Sequence, residues 1–201
     1  MEKKLNLNGY KCSILVNKAP GVPIVFLHGL GNNIEIWQRI GITDLLDTKA
    51  VPYIALDMPY GEKSICRPKT CDIEKNVTFI YDAIEHVFNE PISPVLVGAS
   101  IGGNMALQFA TQFPTRGLLL ISPAHTLKEN LTQTYSRFNF PSTIIWGTED
   151  NMVTSEDMRA LTDKLPNSKL IIYKGAKHSA YRDEPERFKR DLLDLYIKTE
   201  K

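Results

Sequence analysis

The sequence predicts an α/β fold with a mostly parallel, doubly wound sheet that opens with an antiparallel hairpin. Three observations lead to this fold class. Two short alternating stretches flank Asn8-Gly9, short apolar runs recur along the chain, and longer segments with helical spacing separate those runs. Asn-Gly between alternating stretches is typical of a hairpin turn, because both central residues of that turn need positive φ.

The expected strands are short apolar runs without polar alternation, as in a parallel sheet that helices cover on both faces. These runs are 24–27, 53–56, 95–97, 117–121, 143–146 and 170–173. Helices are expected where apolar residues recur every three or four positions. These helices are 73–88, a second from 101 to Pro114, a third starting near Thr154, and a last one that contains Phe188, Leu192 and Leu195.

We expect a single domain over residues 1–201, with no lid domain. No repeat, low-complexity tract or linker interrupts the chain, and its 201 residues suit about one domain. Between Pro123 and Pro141 there are only 17 residues. This connection has room for a loop or one short helix, but not for a separate lid.

Charge and composition exclude several classes of partner. Lys and Arg number 24 against 23 Asp and Glu, so no strong field attracts nucleic acid, and we expect no nucleic-acid partner. No apolar run approaches the ~20 residues that span a bilayer, and the first residues lack a signal peptide's apolar stretch. We therefore expect a cytoplasmic protein without a membrane span; the oligomeric state stays open.

The three cysteines are too few for a disulfide scaffold. Cys66 and Cys71 are close enough in the chain to pair across a short loop, and Cys12 lies far from both in sequence. No CxxC pair or Cys/His cluster indicates a metal site. We expect neither a metal nor a cofactor.

The strongest chemical signal is Gly98-Ala99-Ser100-Ile101-Gly102, which directly follows an expected strand and opens an expected helix. A serine on such a sharp turn needs small residues two positions away on each side, because larger ones would clash with the strand and helix. The helix N-terminus also presents free N–H groups beside the serine. This context predicts that Ser100 is a nucleophile.

A nucleophilic serine needs a base within hydrogen-bond reach and an acid that orients the base. Ligands and catalytic groups in parallel α/β sheets lie at the carboxyl ends of strands, which admits His28, His125 and His178 and excludes His86 within a helix. Spacing does not choose between His125 and His178. The acid is equally open among Asp57, Glu149 and Asp150.

His28-Gly29-Leu30-Gly31 forms a glycine-rich turn after the 24–27 strand. Such a turn can direct a backbone N–H at the negative charge that develops during acyl transfer. It lacks the G-K-[S/T] of a phosphate loop, and the chain has no G-x-G-x-x-G dinucleotide fingerprint.

Together these segments resemble the α/β-hydrolase family, in the family's order of Ser, Asp and His. The segments are His28–Gly31, Gly98–Gly102, Trp146-Gly147-Thr148-Glu149-Asp150 and Gly175-Ala176-Lys177-His178. The resemblance covers about residues 10 to 199. It implies that Ser100 is the nucleophile, His178 the base and Asp150 the acid, with the oxyanion hole formed by the N–H groups of Leu30 and Ile101. It also makes His28 a structural residue.

Two departures refine the resemblance. The stretch 57–64 looks like the family's D-x-P-G-x-G-x-S segment with one glycine missing, so its loop is expected to follow another path. The short 123–141 connection leaves no room for the family's common cap. The chain is therefore most similar to small, cap-less, carboxylesterase-like members.

The implied activity is hydrolysis of a small acyl ester by a serine esterase, with a small-molecule acyl substrate. Side chains expected beside the substrate are Leu30, Trp37, Tyr60, Ile101, Met152 and Tyr181, with core packing as the alternative for each. Thioesterase, peptidase or protein deacylase activity would use the same three catalytic residues. A non-catalytic binding module on the same fold is the alternative from another class.

Overall fold

The computed structural model describes residues 2–200 as one eight-stranded sheet between two layers of helices. The strands are β1 (Glu2–Leu7), β2 (Tyr10–Asn17), β3 (Ile24–Leu27), β4 (Tyr53–Leu56), β5 (Val95–Ala99), β6 (Gly117–Ile121), β7 (Ser142–Gly147) and β8 (Ser168–Tyr173). Their spatial order is β1-β2-β4-β3-β5-β6-β7-β8. β2 pairs antiparallel with β1 and β4, and all other neighbours are parallel. The predicted fold class is confirmed.

The helices connect these strands. They are α1 (Glu35–Arg39), α2 (Ile42–Thr48), α3 (Ile73–Phe88), α4 (Ile101–Gln112), α5 (Glu129–Thr132), α6 (Ser155–Lys164), α7 (Ala180–Asp183) and α8 (Pro185–Thr199), with a 3-10 turn at Tyr135–Arg137. None of the helices within residues 2–200 is long and apolar enough to cross a membrane. Between β6 and β7 lie only α5 and the 3-10 turn, so no lid covers the sheet edge.

The hairpin forms where Asn8-Gly9 predicts it. Asn8 and Gly9 have φ values of 48° and 84°, and β1 pairs with β2 from Leu7–Tyr10 outward. The positive φ of both residues matches the twist that a two-residue turn needs.

Apolar runs without alternation are explained by burial on both faces of the sheet. In β3, Val25 and Leu27 pack into the layer that contains α3, α4 and α6, whereas Ile24 and Phe26 pack into the layer of α1, α2 and α8. Because successive side chains of a strand point to opposite faces, both sets must be apolar.

Trp37 belongs to the second of these layers. Its side chain is completely buried, and its ring lies 4.9 Å from that of Phe26, 5.3 Å from that of Tyr181 and 6.4 Å from that of Phe188. Aromatic residues so enclosed contribute mainly through the apolar area they bury. The expected contact of Trp37 and Tyr181 with substrate is therefore corrected to core packing.

The possible pairing of Cys66 with Cys71 is also corrected. Cys66 is disulfide-bonded to Cys12, whereas Cys71 is exposed and free. Two backbone hydrogen bonds join Lys11 and Arg67, which brings the segment after β4 alongside β2 and puts the two buried cysteines together. This long-range pairing has no signal in the sequence spacing.

His28 fastens the end of β3 to the segment after β4. The buried ring donates from Nδ1 to the Gly29 carbonyl at 2.9 Å, and its Nε2 accepts from the Met58 N–H at 3.0 Å. The Tyr60 hydroxyl donates to the His28 carbonyl at 2.6 Å. These bonds give the neutral imidazole one donor and one acceptor role, so His28 is a structural residue.

Burial lowers the pKa of His28 to about 4, against the raising effects of the Gly29 hydrogen bond and of Asp57. The unfolded chain, with an ordinary histidine pKa near 6.5, therefore binds a proton between pH 6.5 and about 4 that the folded chain does not. Stability must fall as pH falls through this window.

We predict that acidification from pH 6.5 to about 4 lowers the free energy of unfolding by about 3 kcal/mol through His28 alone. Urea titrations at a series of pH values measure it. A His28→Asn variant should be less stable at neutral pH but should lack this slope, whereas His86→Asn, on the exposed face of α3, should keep it. An unchanged slope in His28→Asn would contradict the assignment.

We also predict that Trp37→Ala lowers the free energy of unfolding by about 3–5 kcal/mol, because it leaves a cavity in a packed layer. Met152→Ala is the control: that side chain is 71% exposed, and its loss should change stability by less than about 0.5 kcal/mol. Equal effects of the two substitutions in urea unfolding would refute the core assignment of Trp37.

Candidate active site

The candidate catalytic residues lie at the carboxyl edge of the sheet. β3 lies between β4 and β5, so the chain proceeds to one side of β3 first and to the other side afterwards. Open α/β sheets bind ligands at such a reversal, outside the carboxyl ends of the strands. The His28–Gly31 turn follows β3 and Ser100 follows β5, so the two lie on either side of this point.

Ser100 occupies the tight bend that its glycines predict. Its φ and ψ are 54° and −117°, a conformation that L-residues rarely adopt. A Cβ on Gly98 would lie 2.3 Å from the Gly102 carbonyl oxygen, and one on Gly102 would lie 2.3 Å from that of Leu27. Glycine is therefore required at both positions.

Backbone hydrogen bonds hold the bend from both sides. The Ser100 N–H donates to the Ile121 carbonyl, and the Ser100 carbonyl accepts from the N–H groups of Gly103, Asn104 and Ala124. Because Ile121 and Ala124 flank the end of β6, that neighbouring strand fixes the position of the serine.

His178 and Asp150 are joined directly. The Nδ1 atom of His178 lies 2.9 Å from Oδ2 and 3.1 Å from Oδ1 of Asp150. His178 lies between β8 and α7, and Asp150 follows β7. The Asp150 side chain is fully buried and that of His178 is 18% exposed. Asp150 thus holds the imidazole ring from the protein interior, while part of the His178 side chain is exposed to solvent.

The environment of Asp150 keeps it ionised. Burial by itself raises the pKa of this carboxyl group, but hydrogen bonds from the Met152 N–H, His178 and the Val153 N–H together lower it below its ordinary value. A carboxylate of this kind stabilises a positive charge on the neighbouring imidazole.

The other ring nitrogen of His178 is unoccupied. Its Nε2 atom is buried and has no hydrogen-bond partner among residues 2–200. His178 and Ser100 line one cavity of about 330 Å³. An imidazole held through Nδ1, with no partner on Nε2, has the polarity that a general base needs, and it lines the same cavity as a serine.

The turn after β3 lies against the serine. A Cβ on Gly29 would lie 3.6 Å from the Cβ of Ser100. Within residues 2–200, neither the Leu30 N–H nor the Ile101 N–H donates a hydrogen bond. Two free N–H groups on the two sides of a serine can together receive a developing oxyanion.

The residues that the sequence left as alternatives have other surroundings. The Asp57 carboxylate accepts from the Ile65 N–H and lies 3.7 Å from Nε2 of His28, so it holds the segment after β4. Glu149 is exposed, and His86 lies on the outer face of α3. His125 is exposed and lines the cavity, but it makes no side-chain hydrogen bond to a carboxylate in the described chain.

The expected substrate contacts divide into two groups. Met152 lines the cavity, and Leu30 is 43% exposed at the glycine turn. Tyr60 is 5% exposed and its hydroxyl donates to the His28 carbonyl, so the expectation of a substrate contact is corrected to support of the turn. Trp37 and Tyr181, as described above, are core residues.

Sequence reasoning missed most of the cavity wall. Besides Ser100, His125, Met152 and His178, which the sequence had singled out, the wall consists of Pro123, Ala124, Thr126, Leu127, Val153 and Asp157. Residues 123–127 directly follow β6, as the catalytic candidates follow their own strands. Their position after a strand was the sequence signal that could have identified them as part of the cavity wall. No group of three or more His, Cys, Asp or Glu residues within 2–200 is arranged to hold a metal ion.

The segment 57–64 departs from the family pattern and packs on the glycine turn. The Gly61 N–H donates to the Met58 carbonyl, and the Glu62 N–H donates to the Leu30 carbonyl at 2.8 Å. The loop that lacks this glycine therefore supports the Leu30 backbone by a direct hydrogen bond.

Relatives match most of this chain in sequence. The chain is 29% identical over 182 residues to Protein ABHD14A of Danio rerio, a match that covers 89% of this chain and 66% of that protein. It is 28% identical over 180 residues to the Homo sapiens protein named "Putative protein-lysine deacylase ABHD14B", covering 86% of this chain and 81% of that one.

Solved structures show the same fold. The predicted CIB-like hydrolase of Thermoplasma acidophilum superposes with a TM-score of 0.85 at 21% identity, covering 96% of each chain. The esterase EaEST of Exiguobacterium antarcticum superposes with a TM-score of 0.80 at 16% identity, covering 98% of this chain and all of that one. The sequence profile of the α/β hydrolase fold matches residues 22–134, which is more than half of the chain. The protein therefore belongs to the α/β hydrolase family.

Proposed function

We propose that the protein is a serine hydrolase that cleaves small acyl esters through Ser100, His178 and Asp150. The observation that carries this proposal is the state of His178. Its Nδ1 is bound to a buried carboxylate, its Nε2 is buried without a hydrogen-bond partner among residues 2–200, and its side chain lines the same cavity as Ser100. This is the arrangement that a general base needs to take a proton from the serine hydroxyl.

In the proposed reaction, the Ser100 Oγ attacks the acyl carbonyl carbon while His178 Nε2 takes the hydroxyl proton. The carbonyl oxygen becomes an oxyanion, and the imidazolium is stabilised by Asp150 through Nδ1. The imidazolium then protonates the leaving alcohol as the ester C–O bond breaks, which leaves an acyl-enzyme. Water, deprotonated by His178, attacks this acyl group and releases the carboxylic acid and free Ser100.

The N–H groups of Leu30 and Ile101 are proposed to bind the oxyanion. Both are free of other hydrogen-bond acceptors in the described chain, and the turn that bears Leu30 lies against Ser100. One such donor contributes about 100- to 1000-fold to kcat where it has been removed in other enzymes.

A small acyl group is proposed because of the cavity. Its volume of about 330 Å³ lies near the lower end of ligand pockets, which hold about 300–1000 Å³. Pro123, Leu127 and Val153 give it an apolar wall. The absence of a lid over the described edge leaves the entrance open to a bulky leaving group.

A second candidate function is removal of an acyl group from a lysine side chain of a protein. The Homo sapiens relative is named for that activity, and the open entrance suits a protein-borne amide. The two candidates share the acyl-enzyme and differ in the leaving group. Turnover of a simple acetate ester and of an acetyl-lysine peptide, compared by kcat/KM, separates them.

We predict that a fluorophosphonate probe labels the wild-type protein covalently and leaves Ser100→Ala unlabelled. The probe phosphonylates only a serine whose hydroxyl is activated by a base. Intact-mass measurement gives the result, with circular dichroism to verify that both proteins are folded. A folded wild-type protein that takes up no label would favour the non-catalytic binding module.

We predict that Asp150→Asn lowers kcat for ester hydrolysis by about 10,000-fold, because an amide leaves the imidazole in the wrong tautomer. Glu149→Gln removes an exposed carboxylate from the adjacent position and should leave kcat unchanged.

The same assay compares the two histidines at the cavity. His178→Ala should abolish turnover, whereas His125→Ala should retain the catalytic base. Loss of kcat only in His125→Ala would transfer the role of the base to that residue and overturn the proposal.

A further inference from the structure

The cavity beside Ser100 and His178 is lined by one acidic side chain, two histidines and no Lys or Arg. Among its lining residues, which all lie in the described chain, Asp157 carries a carboxylate and none is Lys or Arg. Asp157 is exposed in the first turn of α6. A ligand in the cavity therefore meets a single fixed negative charge at its surface.

Helix capping does not account for the Asp157 carboxylate. An acidic side chain in the first turn of a helix ordinarily interacts favourably with the helix dipole. Here the Thr154 side chain caps α6 by accepting from the Asp157 N–H, and Glu156 supplies another acid in the same turn. No ion pair within residues 2–200 engages the Asp157 carboxylate.

Asp150 adds a second negative charge on the interior side of the cavity. Its ionised carboxylate is fully buried behind His178, at the other side of the cavity wall from solvent. Charges of one sign around a cleft with apolar walls concentrate the field inside it. The cavity thus has one carboxylate at its exposed edge, that of Asp157, and a second behind His178, that of Asp150.

We infer that Asp157 is a specificity-determining residue that favours substrates with a positive charge close to the scissile acyl carbonyl. The inference rests on the proposed function, since Ser100 must be the reacting group for the charge to be near the carbonyl. Because the cavity is small, a ligand bound in it lies close to its lining residues, including Asp157. An acidic group in the same place is repelled by Asp157.

The test compares acetylcholine with neohexyl acetate, its neutral isostere in which carbon replaces nitrogen. Acetate release by each variant gives kcat/KM for both esters, and the measured quantity is the cationic-to-neutral ratio. The ratio is compared between variants because the two esters differ in intrinsic reactivity. Assays at about pH 8 keep ordinary imidazoles neutral.

We predict that Asp157→Asn lowers this ratio about fivefold, the change expected from one partly screened charge pair. Asp157→Lys should lower it further and should raise kcat/KM for γ-acetoxybutyrate, an anionic acetate ester. Added salt should reduce the preference of the wild type and not that of Asp157→Asn.

Glu156→Gln is the matched control. It removes the neighbouring acid from the same helical turn, and Glu156 does not line the cavity. The ratio should therefore stay at its wild-type value in this variant. An Asp157→Asn ratio equal to that of wild type, or an equal fall in both variants, would overturn the inference.

Phosphonates with choline and neohexyl leaving groups separate this inference from the proposed function. The measured quantity is the ratio of the two Ser100 labelling rates. If this ratio is the same in wild type and in Asp157→Asn, the role of Asp157 is refuted and the serine hydrolase still stands. Failure of both to label a folded wild-type protein would refute the hydrolase and the inference together.

Discussion

The close approach of three backbone segments around Ser100 is the constraint on which the site depends. Gly98 and Gly102 let the end of β5, the start of α4 and the end of β3 come within contact distance, which no residue with a Cβ allows. The bend puts Ser100 in a strained conformation of a type that costs about 1–3 kcal/mol. Hydrogen bonds to Ile121 and Ala124 hold it in place.

The second requirement is a fixed partner on each side of that bend. On one side, His28 and the loop after β4 hold the glycine turn against Ser100. The His28 imidazole is buried and neutral, and it acts through its two hydrogen bonds. On the other side, Asp150 fixes the ring of His178. His28 and His178 thus have opposite environments, the first enclosed by protein and the second bordering an open cavity.

The sequence predicted the layout well where local pattern and function coincide. Ser100 was identified by glycines that its own turn requires, and the strands around it by apolar runs that are buried on both faces. Trp37, Tyr60 and Tyr181 were misplaced because an aromatic residue near the active edge has the same pattern whether it faces the cavity or the core. Trp37 and Tyr181 are buried where α1, α7 and α8 pack together, and Tyr60 is buried in the other layer beside His28, so each burial depends on contacts between distant segments.

The sequence by itself determined the fold class, the edge of the sheet that holds the candidate site and the serine at its bend, because each depends on residues adjacent in the chain. Tertiary structure decided the partner of His178, the pairing of Cys12 with Cys66 and the wall of the cavity. These contacts join residues dozens of positions apart. Their distances are set only when the strands that carry them take neighbouring places in the sheet.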